Sequence, residues 1–144
     1  MKLSIPKKKP KPKRAKLSTL IIKADTLTSQ YIRQKYADHN GMVTCISCPT
    51  VLHWKEMHCA HFIERGKMAT RWLEENLHPA CCSCNRYRKE MHMREYSFAM
   101  IDMYGRDKAN ELRELTKTVL SASQVRQMAT EAIEYYSNAL EGLK

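Results

Sequence analysis

The sequence predicts a small α+β domain that is held together by a zinc ion on four cysteines and flanked by α-helices. Two C-x2-C pairs, Cys45 with Cys48 and Cys81 with Cys84, supply the four thiolates. The residues between the pairs are irregular and strand-like, whereas those before and after them show helical periodicity. A chain of 144 residues with two Phe and two Trp has a thin core, which a metal staple would support.

The net charge of the chain is +10, and its sequence pI is about 9.4. Such a charge indicates a polyanionic partner, either nucleic acid or an anionic membrane surface. No apolar run reaches the roughly 18 residues that span a bilayer, and residues 1–16 lack the apolar region of a signal peptide. We therefore expect a reducing compartment, in which cysteines serve as metal ligands or free thiols.

We expect residues 1–20 to form a flexible basic arm. The first 16 residues contain eight Lys or Arg, three Pro and no acid, so they bury too little apolar surface to order themselves. The alternative is a solubilising tail, or a nuclear address in a eukaryotic host. The arm cations that we expect to contact DNA phosphates are Lys7, Lys8, Lys9, Lys11, Lys13 and Arg14.

Residues 21–120 are predicted to form the zinc-stapled domain. Its first helix is expected to begin at a cap formed by Asp25, and residues 42–64 to form two short hairpins. A second helix with an apolar stripe should end at Gly105, and a third should begin at Asp107. The stripe of the second helix consists of Met93, Tyr96, Met100 and Met103.

Residues 121–144 are predicted to form a C-terminal helix. Ser121 followed by Gln124 resembles a capping box at its start. The apolar stripe of this helix could pack on the chain's own core, or it could pair with its twin in a homodimer, the commonest kind of oligomer. The stripe consists of Val125, Met128, Ala132, Tyr136, Leu140 and Leu143.

The zinc site is expected to be structural, because four protein ligands leave no open position on the ion. The 32 residues between Cys48 and Cys81 exceed the spacer of a compact zinc ribbon, so about two strands must lie between the pairs. Cys59 and Cys82 remain outside the site. A rival register would use Cys82 with Cys84, but it leaves a tighter C-x-C spacing.

Four of the six histidines in the chain fall within 26 residues: His53, His58, His61 and His78. A structural zinc ion needs none of them, and a lone histidine is more often a hydrogen-bonded core residue than a ligand. Imidazole is nevertheless the side chain best suited to take a proton from water near neutral pH. Hydrolysis of a phosphodiester requires such a base together with a divalent cation, so this chemistry is our hypothesis for the cluster.

A longer pattern surrounds the cysteine pairs. It comprises Ala60-His61-Phe62, Arg65-Gly66, Arg71-Trp72, Asn76-Leu77-His78-Pro79 and the Asn85 that follows the second pair. From about Cys45 to Gly105, the chain resembles the HNH (His-Me finger) treble-clef nucleases, and among them the phage Rap/NinG recombination nuclease family. The resemblance implies a ββα-metal (HNH) core, in which the cysteine pairs clamp a β-hairpin against a helix.

The resemblance also implies an activity. It implies cleavage of branched DNA recombination intermediates, such as Holliday junctions, D-loops and flaps, with Mg²⁺ or Mn²⁺ as the catalytic cation. It implies a phage-encoded protein in the cytoplasm of a bacterial host, whose partner is DNA rather than a small molecule or a membrane. Two alternatives stay open: a less selective HNH nuclease of the nicking or restriction type, and a zinc-ribbon DNA-binding protein without catalytic activity.

The resemblance assigns roles to three residues of this chain. His61 would activate water, Asn85 would bind the catalytic cation through its side-chain oxygen, and Asn76 would orient the loop and the base. The chain departs from the family at a further ligand, because Ala60 and His58 stand where a carboxylate is expected. His58 could replace that carboxylate as a softer ligand, which would favour Mn²⁺, or it could exchange roles with His61.

The remaining candidates are one histidine and several cations. His78 could be a further ligand of the catalytic cation or a hydrogen-bonding neighbour of the zinc. Arg71 beside Trp72 matches the family pattern, and we expect it to hold a phosphate or to stabilise charge in the transition state. The other cations expected to contact DNA are Arg65, Lys67, Arg86 and Arg88, with a solvated basic face as the alternative for Lys67.

Overall fold

The computed structural model describes residues 13–144. Lys7, Lys8, Lys9 and Lys11 of the predicted arm lie outside the described residues, whereas Lys13 and Arg14 are exposed just before the first helix. Within residues 13–144, no helix has the length and apolarity that crossing a membrane requires. The elements are α1 (Leu17–Lys35), β1 (Met42–Thr44), β2 (Val51–His53), β3 (His58–His61), β4 (Leu77–Ala80), a π-helical turn (Ser83–Tyr87), α2 (Lys89–Tyr104), α3 (Arg106–Leu115) and α4 (Ala122–Gly142).

The first helix, α1, begins eight residues before its predicted start at Asp25. Lys16, whose backbone is extended, precedes its first residue, Leu17. Packing favours this early start, because Leu17 and Leu20 extend the apolar stripe that packs against α4. Asp25 therefore lies inside the helix rather than at its cap, and residues 17–20 of the predicted arm are helical.

The four strands form two antiparallel ribbons. β1 pairs with β2, with Val43 opposite Leu52, and the first cysteine pair lies in the connection between them. β3 pairs with β4, with His61 opposite Leu77. The prediction of a second hairpin within residues 42–64 is wrong, because β3 finds its partner only after a connection of 15 residues. This β3–β4 connection (residues 62–76) carries several of the predicted site residues.

The second cysteine pair follows β4 and leads through the π-helical turn into α2. On α2, Tyr96 and Met100 are buried as predicted, but Met93 and Met103 are exposed. His92 is buried instead, because it precedes Tyr96 by four residues and residues four apart lie on the same face of a helix. The apolar stripe that was predicted for this helix is therefore correct only in its middle.

A glycine separates α2 from α3. Gly105 has a φ of 83°, a left-handed backbone that suits glycine, and its N–H donates to the carbonyl of Ile101 at 2.8 Å. α3 begins at Arg106, one residue before its predicted start at Asp107. Asp107 lies in the first turn, where a carboxylate stabilises the positive end of the helix dipole.

The C-terminal helix α4 begins with the predicted capping box. The Oγ of Ser121 accepts from the N–H of Gln124 at 3.2 Å, and the Oε1 of Gln124 accepts from the N–H of Ser121 at 2.8 Å. The inner face of α4 packs on α1, so the helix belongs to the chain's own core, whereas Leu143 at the end of the predicted stripe is exposed. A homodimer stays a prediction and would need a different surface. The buried residues of α4 are Val125, Ala129, Ala132 and Tyr136.

Two apolar clusters form the core. One joins the strands to α2 and α3 and includes Phe62, Tyr96 and Leu112. The other joins α1 to α4 and includes Trp72, whose carbonyl accepts from the hydroxyl of Tyr136 at 2.6 Å. Because Phe62 and Trp72 belong to different clusters, the β3–β4 connection is anchored at two points.

Candidate functional site

The cysteines of the two C-x2-C pairs come together in one cluster. The Sγ atoms of Cys45, Cys48, Cys81 and Cys84 all lie within 4.8 Å of one another, and those of Cys48 and Cys81 are 3.8 Å apart. Zn–S bonds of about 2.3 Å place the sulfurs of a tetrahedral site roughly 3.8 Å apart. The cluster can therefore hold a zinc ion in the predicted register, with Cys82 outside it.

Burial and neighbouring contacts shape this cluster. Burial raises the pKa of Cys84 to about 12, so this thiol needs the charge of a bound cation to ionise at pH 7. The N–H of Cys81 donates to the Sγ of Cys45 at 3.3 Å, and the Oγ of Ser47 lies 2.6 Å from the Nδ1 of His92. These contacts join the two pairs to α2. A zinc ion held there would act as a crosslink, because four protein ligands fill its coordination sphere.

A cleft of about 770 Å³ opens between α1, β3, the β3–β4 connection and the start of α2. Four residues predicted from the sequence line it: His61, Arg65, Arg71 and Asn85. Helix α1 contributes a wall that sequence reasoning did not connect with the site. The lining residues of that wall include Asp25, Thr28, Ser29 and Arg33. The fold thus brings together side chains as far apart in the sequence as Asp25 and Asn85.

His61 lies partly buried in this cleft. Burial lowers the pKa of its imidazole to about 4, while the main chain of Arg71 and the charge of Asp25 act in the opposite direction. The ring is therefore neutral at pH 7 and able to accept a proton. An anion bound in the cleft would raise this pKa and make the imidazole a stronger base.

The strand β3 presents its two histidines on opposite faces. Because side chains alternate along a strand, Cys59 and His61 share the face that lines the cleft, and His58 shares the other face with Ala60. Burial raises the pKa of Cys59 to about 12, so its thiol stays neutral and is a poor nucleophile. This leaves His61 as the proton acceptor that β3 places in the cleft.

Asn85 connects the cleft to His58. Its Nδ2 lies 3.3 Å from the Nδ1 of His58. Rotation of the Asn85 amide by about 180° would bring its Oδ1 next to this ring nitrogen instead. Burial and the charges of Arg86 and Arg33 lower the pKa of His58, which keeps the ring neutral and able to bind a cation. Within residues 13–144, only the four cysteines gather three or more Cys, His, Asp or Glu ligands. A cation at Asn85 and His58 would thus take its other ligands from water or substrate.

Asn76 is fully buried and organises the β3–β4 connection. Its Oδ1 accepts from the N–H of Ile63 at 2.7 Å, and its Nδ2 donates to the carbonyls of Thr70 at 3.0 Å and Ile63 at 3.2 Å. These bonds hold the loop that carries Arg65 and Arg71 to the cleft. Asn76 is therefore placed to position the loop, the role that the resemblance implies, and not to contact a reacting group.

His78 belongs to the core, so its predicted role as a ligand of the catalytic cation is wrong. It is fully buried, with Nδ1 2.8 Å from the hydroxyl of Tyr96 and Nε2 2.9 Å from that of Tyr104. A neutral imidazole donates through one nitrogen and accepts through the other, so the two tyrosines use both. Burial also lowers its pKa to about 4, which keeps the ring uncharged.

Arg71 is held in an ion pair with Asp25 of α1. Its Nε donates to Oδ1 at 2.9 Å and its Nη2 to Oδ2 at 2.6 Å, while its Nη1 donates to the carbonyl of Arg65 at 3.0 Å. Every nitrogen of this buried guanidinium thus has a protein partner. The prediction that Arg71 binds phosphate directly is therefore corrected: this residue anchors α1 to the β3–β4 connection.

Asp25 is the main residue of the site that sequence reasoning missed. Besides Arg71, it accepts from the indole of Trp72 at 2.9 Å and from the guanidinium of Arg65 at 2.8 Å. Burial opposes its ionisation, but hydrogen bonds from Arg71 and Trp72 hold the pKa of Asp25 below its usual range. Arg65, with 63% of its side chain exposed, is the partner that can turn towards an anion.

The cleft and its rim are rich in cations. Among the described residues, the cleft lining includes Arg33, Arg65, Arg71 and Lys89 against two carboxylates, Asp25 and Glu64. Arg86 and Arg88 are exposed on the neighbouring turn. Lys67 forms a 4.0 Å ion pair with Glu64 on the solvent side, as expected of a solvated face. The surplus of positive charge suits an anionic ligand.

Fold and site together define a small, basic α+β protein with a four-cysteine cluster able to bind zinc and an adjacent cationic cleft around His61 and Asn85. The family model described as bacteriophage lambda NinG protein matches residues 2–141. The chain belongs to this NinG family, a phage family associated with recombination, which confirms the predicted relationship. Comparisons with curated proteins and with solved structures find no match.

Proposed function

We propose that this protein is a metal-dependent endonuclease that hydrolyses phosphodiester bonds in branched DNA, such as Holliday junctions, D-loops or flaps. The observation that carries the proposal is the presence of His61 and Asn85 in one cationic cleft next to the four-cysteine cluster. The NinG family is associated with phage recombination, a process in which branched DNA arises. We place its action in the cytoplasm of a bacterial host.

The arrangement supports an HNH (ββα-metal) assignment for the core. In the proposed reaction, the neutral imidazole of His61 takes a proton from water, the water oxygen bonds to the phosphorus, and the bond from the phosphorus to the leaving sugar oxygen breaks. Asn85 at the cleft and His58, whose ring nitrogen lies 3.3 Å from the Asn85 side chain, would hold Mg²⁺ or Mn²⁺, which would supply positive charge to stabilise the phosphate and the leaving oxygen. Of the two histidines only His61 lines the cleft itself, so we assign the base to His61 and do not exchange their roles.

Cations on the rim support binding of DNA. Lys89 lines the cleft, Arg65 is exposed at its edge, and the exposed Arg86 and Arg88 lie on the adjoining turn. Guanidinium groups bind phosphate through paired hydrogen bonds, and ammonium groups bind it as point charges. A DNA strand that passes over the cleft would thus meet positive charge along its lining and on the adjoining turn.

The proposal is tested with three labelled DNAs of matched sequence: a four-way junction, a splayed Y and a linear duplex. Each is incubated with the zinc-loaded protein and Mg²⁺, Mn²⁺ or neither, and the products are separated on denaturing gels. Metal-dependent cutting of the branched DNAs alone is the expected result. Cutting of all three would indicate the less selective HNH nuclease, and binding without cutting under every condition would indicate the zinc-ribbon DNA-binding protein.

A further inference from the structure

An exposed aromatic side chain lies beside the cleft. Tyr87 is the last residue of the π-helical turn, two residues after Asn85, and 78% of it is exposed. No other aromatic side chain within residues 13–144 is as exposed. Tyrosine combines a large apolar face with a polar edge and is enriched where a protein meets a partner. An exposed ring of this kind can stack on a ligand with a flat apolar face.

The surroundings of Tyr87 are basic. It lines a shallow depression of about 610 Å³ together with three cations, Arg86, Arg88 and Lys89, one carboxylate, Glu90, and Met91. Lys89 also lines the cleft, so the depression and the cleft share one rim. A ligand in this depression would thus lie next to the proposed reaction centre.

The backbone keeps Tyr87 apart from the regular helix that follows. Arg88, with φ of −107° and ψ of 46°, breaks the path between the π-helical turn and α2. Its N–H donates to the carbonyl of Ser83 at 3.2 Å, which closes the turn upon itself. The turn also contains Cys84 and Asn85, so its position is tied to both the cysteine cluster and the cleft.

We infer that Tyr87 is the platform on which an unpaired base at a DNA branch stacks, while the adjoining phosphate enters the cleft. This inference rests on the proposed function. Bases stack on aromatic rings whatever their identity, and only unpaired or unstacked bases offer a free face. Arg86 and Arg88, which line the same depression, would bind the phosphates of the same strand. Tyr87 would thereby let the protein distinguish a branch from a continuous duplex.

The test compares variants in binding to a splayed Y and to a linear duplex. Tyr87→Ala removes the ring, Tyr87→Phe keeps it, and Phe98→Ala removes a second exposed aromatic ring from α2 as the matched control. Affinity is measured by fluorescence anisotropy on zinc-loaded protein with no added Mg²⁺ or Mn²⁺. We expect Tyr87→Ala to weaken binding to the splayed Y by about tenfold, the effect expected when one base no longer stacks. Binding to the duplex should change less than about twofold, and Tyr87→Phe and Phe98→Ala should bind both DNAs as the parent does.

The possible outcomes separate the inference from the proposed function. If Tyr87→Ala binds the splayed Y as tightly as the parent, or loses affinity equally for both DNAs, the stacking role is overturned while DNA binding stands. If Phe98→Ala has the same effect as Tyr87→Ala, the ring of Tyr87 has no special role and the stacking inference is likewise overturned. If the parent binds neither DNA, both the inference and the proposed function fail.

Discussion

Asp25 and Arg71 form a two-point ion pair between α1 and the β3–β4 connection, with Oδ–N distances of 2.6 and 2.9 Å. The pair joins residues that are 46 positions apart in the sequence. It makes α1 a wall of the cleft and fixes the loop from which Arg65 reaches the rim. The N-terminal helix is therefore part of the candidate site and not an appendage to it.

Removal of the Asp25 carboxylate should destabilise the fold. Asp25→Ala leaves the guanidinium of Arg71, whose side chain is only 9% exposed, without its counter-charge. We expect the free energy of unfolding, measured by urea denaturation, to fall by about 2 kcal/mol. Arg65→Ala is the matched control, because it removes an exposed partner of the same carboxylate and should cost less than about 1 kcal/mol. Equal losses in the two variants would contradict the anchoring role of Arg71.

The cysteine cluster allows a sharp comparison between neighbouring residues. Cys81→Ser removes one of the four clustered thiols, whereas Cys82→Ser changes the adjacent thiol outside the cluster. We expect the first variant to lose most of its bound zinc and to unfold at a lower temperature, because a structural zinc site contributes directly to folding. The second should keep one zinc per chain and its thermal stability. The test is the zinc content of each variant, measured by atomic spectroscopy. A parent protein without zinc would contradict the assignment of the four cysteines as a zinc site.

Local patterns in the sequence predicted the parts of the fold that depend on local contacts. The C-x2-C spacing identified the four clustered cysteines, and the Ser121 and Gln124 pair identified the start of α4. The capping box and each cysteine pair are set within a few residues, where backbone geometry leaves little choice, and the preference of zinc for four thiolates implies that the two pairs meet. The resemblance then pointed to His61 and Asn85, which the fold does bring into one cleft.

What the sequence could not reveal depends on contacts between distant elements. Asp25 was predicted to cap a helix, since nothing near it in the sequence points to Arg71. His78 was grouped with the other histidines, because its hydroxyl partners, Tyr96 and Tyr104, come from a helix that starts 11 residues later. In both cases the partner on another element decides whether a polar side chain serves the core or the site.

The assignment of His61 as the base predicts a loss of activity without a loss of binding. His61→Ala should cut branched DNA at least about 100-fold more slowly, the usual effect of removing a general base. Zinc content and DNA affinity should stay within about twofold of the parent, because His61 is outside the cysteine cluster and neutral at pH 7. His39→Ala, at an exposed histidine in the turn before β1, is the control and should cut normally. If His61→Ala cuts branched DNA as fast as the parent does, a residue other than His61 must be the general base.

The buried His78 predicts a pH dependence of stability. Burial lowers its pKa to about 4 in the folded chain, against about 6.5 in the unfolded chain. Between these values the unfolded chain binds the additional proton, so stability falls as the pH is lowered from 6.5 to 4. The difference corresponds to about 3 kcal/mol for this residue.

The measurement for His78 is urea denaturation between pH 4.5 and pH 7.5 in excess zinc. His78→Gln cannot take up a proton, but it also weakens the contacts with Tyr96 and Tyr104. We therefore expect the variant to be less stable at pH 7.5 and to lose less stability than the parent on acidification. Loss of zinc at low pH affects both chains alike, so the difference between them isolates His78. Parallel profiles would show that this imidazole does not drive the acid sensitivity.

The basic N-terminal segment predicts how DNA affinity depends on salt. Deletion of residues 2–12 removes five lysines, and the slope of log affinity against log salt should fall by about 0.9 for each phosphate that these lysines neutralise. We expect weaker binding of branched DNA at low salt, a flatter salt dependence and an unchanged cutting rate at saturating protein, because the cleft lies within residues 25–89. Lys117→Ala, which removes an exposed cation between α3 and α4, is the control and should leave the slope unchanged. A deletion variant with the parent's affinity and slope would show that the segment does not contact the phosphates, and the surface around the cleft would then account for binding.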